Sequence, residues 1–91
     1  MLFLRKSIQA LSDSERVLLR LIYSSDEMTT GELYRKFKET ISVGYTKFYE
    51  ILSKLESIRL VDTRFEQKGG RTRVVEKRCD VSVVLDALKG F

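Results

Sequence analysis

Between Leu60 and Lys77, in "LVDTRFEQKGGRTRVVEK", the apolar residues switch to a period of two and become β-branched, around the adjacent glycines Gly69 and Gly70. Period two is the signature of a strand, and paired glycines supply the positive φ that a tight primed turn needs. A β-hairpin over about 60–77 is therefore predicted. A two-residue Gly69-Gly70 loop would set Phe65 opposite Val74, Glu66 opposite Arg73 and Asp62 opposite Lys77. One apolar pair and two opposite-charge pairs favour that register. It also sets Lys68 opposite Arg71, a like-charge pair that costs a few tenths of a kcal/mol up to about 1 kcal/mol and that nothing in a hairpin demands.

The rest of the chain follows helical spacing. "LSDSERVLLRLIYSS" begins with Ser12 three residues before Glu15, the spacing of a capping box, and predicts a helix over about 13–24. Thr29 and Glu32 repeat that spacing, and Leu33, Phe37 and Ile41 recur every four residues, which predicts a second helix over about 30–40. Met28, just before it, is placed to add a short strand. "GYTKFYEILSKLES" predicts a third helix over about 44–57, with Phe48, Ile51, Leu52 and Leu55 as its buried stripe. At 100° per residue its opposite face carries Thr46, Tyr49, Glu50 and Ser53, flanked by Lys47 and Lys54. Asp80 caps a last helix over about 80–89, with Val81, Val84, Leu85 and Leu88 on its apolar side. Phe3, Leu4 and Ile8 suggest one more helical segment before Ser12, packed on the same core.

Length and composition set the remaining bounds. Ninety-one residues, 43% hydrophobic and 33% charged, suit one globular domain with a modest core. There is no histidine and the single Cys79 reads as a small packing residue, so no metal site, cofactor or histidine-based catalysis is expected. No phosphate-cradling GxxxxGK[ST] loop is present, and the chain is not expected to be an enzyme. No apolar run approaches the roughly 18 residues of a membrane helix, and Met1-Leu-Phe-Leu before Arg5-Lys6 does not make a secretory signal, so a cytoplasmic protein is expected. The net charge is +4, and six basic against two acidic residues from Arg64 to Arg78 account for all of it. A local basic stripe points to a polyanionic partner.

Three short helices followed by a hairpin with a basic glycine tip is the order of a winged helix-turn-helix, a mainly α fold with a small β-hairpin. "LSDSERVLLRLI", "TTGELYRKFKE", "ILSKLESIRLV" and "GGRTRVVE" resemble the carboxy-terminal winged-helix domain of archaeal replication initiators, relatives of the origin recognition complex and its helicase-loading partner. The wing "GRTR" at Gly70–Arg73 and "TTGELY" at Thr29–Tyr34 are the most specific marks, and the resemblance covers about Leu11 to Leu88. It implies double-stranded DNA binding at replication origins, with the 44–57 helix in the major groove and the wing on the backbone or minor groove. An AAA+ ATPase module precedes the winged helix in that family, so the chain resembles a fragment or a stand-alone relative. Family members carry a Ser-Gln-Arg-Arg-like run where this chain has Gly44-Tyr45-Thr46-Lys47. One base is lost there and an aromatic gained, while phosphate contacts by Lys47 and the wing carry over.

The candidate DNA-binding residues are Tyr45, Thr46, Lys47, Tyr49, Ser53 and Lys54 on the helix, with Lys68, Gly69, Gly70, Arg71 and Arg73 in the wing. For Tyr45 the alternative is the edge of the core; for Arg73 it is a cross-strand pair with Glu66. Two other functions use the same order of elements. A transcription regulator would dimerise on paired half-sites. A protein-interaction module would bind through an exposed apolar patch, insensitive to salt.

Overall fold

The computed structural model, which describes residues 2–67 and 71–90, has five helices and a three-stranded antiparallel sheet in the order β1-β3-β2. They run α1 (Leu2–Gln9), α2 (Asp13–Tyr23), β1 (Met28–Thr29), α3 (Thr30–Thr40), α4 (Tyr45–Ser57), β2 (Val61–Gln67), β3 (Arg71–Lys77) and α5 (Val81–Leu88). The helix bounds agree with the periodicity to within a residue at each end, and Met28 does begin a short strand. No helix among the described residues is long and apolar enough to cross a membrane.

Local chemistry sets the helix starts. Both capping boxes form: Ser12 Oγ accepts from the Glu15 amide while Glu15 accepts from the Ser12 amide, and Thr29 and Glu32 repeat the exchange. These bonds satisfy donors that a helix start leaves orphaned. Bonds from the Thr29 amide and then from its hydroxyl hold the Glu32 carboxyl below its ordinary pKa. Asp80 caps α5 through the Ser82 and Val83 amides. Gly44 begins α4 with no side-chain cap. At the other end of α1, Arg16 Nη1 donates to the carbonyls of Ile8, Gln9 and Leu11 and ties that helix to α2.

One core joins all the helices to the sheet. Leu18, Leu33, Phe37, Phe48, Leu52 and Leu55 meet Val61, Val75, Val84 and Leu88 there, each 4% exposed or less. Ile8 closes the core from α1; the side chains of Phe3 and Leu4 lie outside the described residues. Val81, expected on the apolar side of α5, is instead 38% exposed in the first turn of that helix.

The strand register differs from the one expected. Val61 pairs with Lys77, Thr63 with Val75, Phe65 with Arg73 and Gln67 with Arg71, which leaves three residues, not two, in the loop. Gln67, not Lys68, is therefore opposite Arg71, and Glu66 faces Thr72 rather than Arg73. The reason is burial. With Val61 pointing into the core, the expected register would turn Glu76 inward and Val75 outward. The observed one buries Val61 and Val75 together and leaves Glu76 on the outer face. It also sets Asp62 opposite Glu76, a like-charge pair relieved by Arg78 on Asp62 and Arg64 on Glu76.

Candidate nucleic-acid interface

The four residues between α3 and α4 form a short turn, and Tyr34 Oη donates to the Val43 carbonyl at 3.2 Å to hold it. Tyr34 is half-buried between α3 and α4. Its ring meets Tyr45 edge-on at 5.0 Å and Phe48 at 5.1 Å, so the start of α4 is seated on α3 through aromatic packing. Edge-to-face pairs of this kind contribute about 0.5–1.5 kcal/mol beyond their buried area. Tyr45 is 45% exposed, packed on one side and open on the other.

With Phe48, Ile51, Leu52 and Leu55 buried, α4 presents Thr46, Lys47, Glu50, Ser53 and Lys54 outward. Lys47 lies 3.8 Å from Glu50 and Lys54 lies 3.6 Å from Glu15 of α2, both as loose surface pairs. Tyr49 departs from the outward face expected for it. It is half-buried, and its hydroxyl accepts a 2.7 Å bond from Arg73 Nη1 of the hairpin.

Arg73 is the centre of a small network. Its Nη2 donates to Thr63 Oγ1 at 3.0 Å and lies 3.5 Å from Glu56 Oε1, while Thr63 Oγ1 donates to Glu56 Oε2 at 2.8 Å. The guanidinium lies 5.2 Å from the centre of the Tyr49 ring and 5.9 Å from that of Phe65. Tyr49 and Glu56 are seven residues apart on one face of α4, and Thr63 is the diagonal cross-strand neighbour of Arg73. The acid that holds Arg73 is thus Glu56 and not Glu66.

The basic stripe divides in the same way. Arg64 sits on the outer face of the sheet among Glu66 at 2.6 Å, Glu76 at 3.0 Å and Glu27 at 3.1 Å, and these carboxylates, Glu66 foremost, raise its already high pKa. Arg78 pairs with Asp62, and Lys77 Nζ donates to the Ser25 carbonyl. Four of the six bases therefore have partners within the chain. The other two, Lys68 and Arg71, belong to the tip. Lys68, Gly69 and Gly70 lie outside the described residues, and of Arg71 only the backbone, at the start of β3, is described.

Glu56, Thr63 and Phe65 were not among the candidates read from the sequence. Their signal was present in the seven-residue spacing of Tyr49 and Glu56, but linking them to Arg73 required the register that burial, not cross-strand pairing, decides.

A short turn joining α3 to an outward-facing α4, with a hairpin braced beside it, defines a winged helix-turn-helix. No protein-family model matches the chain. It is 41% identical over 91 residues to an ORC1-type DNA replication protein 2 of Methanosarcina acetivorans, covering 98% of this chain and 24% of that protein. An ORC1-type DNA replication protein 2 of Archaeoglobus fulgidus is 41% identical over 88 residues, covering 96% of this chain and 23% of that protein. The fold is similar to that of the Aeropyrum pernix ORC1 protein, solved in complex with DNA, with a TM-score of 0.80 at 24% identity over 97% of this chain and 26% of that one. Over nearly its whole length the chain is similar to one region of the archaeal ORC1-type DNA replication proteins, consistent with their carboxy-terminal winged-helix domain. It spans about a quarter of the length of the curated relatives it matches.

Proposed function

We propose that residues 1–91 act as one winged-helix unit that binds double-stranded DNA at replication origins. The observation that carries this reading is the pairing of an outward α4 face with a glycine hairpin whose tip adds Lys68 and Arg71. In this reading α4 enters the major groove. Thr46 and Ser53 reach base edges there, and Lys47 and Lys54 meet the flanking phosphates, since loose surface pairs contribute little and exchange readily. Tyr45, exposed on one side, adds an aromatic contact at the groove edge. The wing reaches the neighbouring backbone or minor groove through Lys68 and Arg71, where Gly69 and Gly70 let the main chain approach closely. The ORC1-type relatives and the Aeropyrum pernix complex with DNA support the assignment. The unit itself performs no chemistry. Its place is beside an AAA+ ATPase module and other replication proteins, and its compartment is the cytoplasm.

Titrations of wild type, Arg71→Ala and Thr46→Ala on origin-repeat and scrambled duplexes at several salt concentrations test the reading. Arg71→Ala is expected to weaken binding to every duplex and to lower the log–log salt slope by about 1. Thr46→Ala is expected to change the preference among duplexes by about 1–3 kcal/mol with little change in slope. If Arg71→Ala leaves affinity and slope untouched on every duplex, the wing does not touch DNA and the reading falls.

A further inference from the structure

Two elements must meet a duplex at once if this chain binds as proposed, and a two-stranded hairpin attached by its base alone would swing. The Arg73 network lies where it would stop that motion. It joins Tyr49 and Glu56 of α4 to Thr63 and Phe65 of β2, partway up the hairpin and one pleat below Arg71. Three features suit Arg73 to holding rather than reaching. Its side chain is 26% exposed, its two terminal nitrogens are committed to Tyr49, Thr63 and Glu56, and its guanidinium lies beside the Tyr49 and Phe65 rings. Its Nε is buried without an acceptor among the described residues, so the fork is not placed for bidentate contact with an outside anion.

We propose that Arg73 is a positioning residue, whose fork on Tyr49, Thr63 and Glu56 fixes the angle of the wing to α4 so that both reach the duplex together. This deepens the DNA-binding reading and rests on it. Ordering the hairpin before binding removes a cost that a loose wing would meet on every encounter. A lysine does not reproduce the fork, because its ammonium is a compact point charge without the spread donors of a guanidinium.

Arg73→Lys, Glu56→Ala, Arg71→Ala and the double change Glu56→Ala with Arg71→Ala separate positioning from contact, in duplex titrations at several salt concentrations. Thermal melts of each variant confirm that it is folded at the titration temperature. If the brace acts as inferred, Glu56→Ala weakens binding by roughly three- to tenfold. Removal of an acid beside a polyanion would by itself strengthen it. Arg73→Lys weakens binding by a similar factor although its charge is kept, and neither change lowers the salt slope by a full contact. The loss caused by Arg71→Ala also shrinks in the Glu56→Ala background, a coupling that a purely structural loss of stability would not produce. The inference is overturned if Glu56→Ala binds as well as or better than wild type, or if Arg73→Lys retains full affinity. Those outcomes make Arg73 a direct phosphate contact and leave DNA binding intact. If wild type binds no duplex at all, the DNA-binding reading and the brace built on it fall together.

Discussion

At the end of α2 the hydroxyl of the buried Tyr23 is a polar junction. It donates to the Leu60 carbonyl at 2.5 Å and accepts from the amides of Arg78 at 3.2 Å and Cys79 at 3.1 Å. One atom thereby satisfies three backbone groups at the two ends of the hairpin, where α4 passes into β2 and β3 passes into α5. Tyr23→Phe keeps the ring and strands all three. Its expected cost is about 1–3 kcal/mol, the penalty for burying unsatisfied backbone groups, read from chemical denaturation. Burial, foremost, raises the Tyr23 pKa above its ordinary 10.0. The folded chain therefore holds the phenolic proton more tightly than the unfolded one. That stabilisation is complete below the unfolded pKa and is lost as pH rises through the folded value. The stability difference between wild type and Tyr23→Phe should be constant near neutrality and narrow above about pH 10. A difference that widens there would mean that the phenol ionises more readily in the folded protein.

At the scale of elements, the turn from α4 into the wing is where, among the described non-glycine residues, the backbone leaves its ordinary region: Arg59 has a φ of 64°. The Leu60 amide bonds the Leu55 carbonyl and the Arg59 amide bonds the Glu56 carbonyl, both at 3.0 Å, and Leu55 and Leu60 are buried together. This is a Schellman stop with arginine where glycine is usual. A left-handed conformation costs an L-residue about 1–2 kcal/mol, partly offset in glycine by its freer unfolded state. Arg59→Gly should raise stability by about 0.5–1 kcal/mol in a urea melt, whereas Arg59→Ala should gain nothing, since it keeps the Cβ. An equal gain from both would assign the effect to the arginine charge. The same turn shows what a sequence carries and what it hides. Both capping boxes, the buried stripe of α4 and the short strand at Met28 were legible, because each depends on spacing within one segment. The register was not, because Val74 and Val75 are adjacent and either can serve as the inward residue; the choice fell to Val61 and Glu76, on different strands. The outward face expected for Tyr49 differs from its observed place for a related reason. A helical wheel places its side chain in solvent, and only the hairpin, folded back beside α4, encloses it.

For the whole molecule the question is how much of the positive charge a polyanion would meet. By sequence the excess lies between Arg64 and Arg78, and eight cations would face the partner if that stripe and the two α4 lysines all engaged. The fold divides them. Arg64, Lys77 and Arg78 are held on the outer side of the sheet or at its base, Arg73 is held by Glu56 and Tyr49, and the acids Glu27, Asp62, Glu66 and Glu76 gather with them. The proposed interface is assigned four cations: Lys47 and Lys54 of α4, each in a loose pair, and Lys68 and Arg71, whose side chains lie outside the described ones. Each phosphate neutralised on B-DNA contributes about 0.9 to the slope of log K against log salt, so a slope of about −3 to −4 is expected. Affinity should then fall roughly a hundredfold between 50 and 200 mM salt. Filter binding or anisotropy across that range measures it directly. A slope near −7 would mean that the internal pairs open on binding and that the brace is released rather than kept. A slope near zero would mean that the partner is not met through charge, and a protein surface would then replace DNA as the ligand.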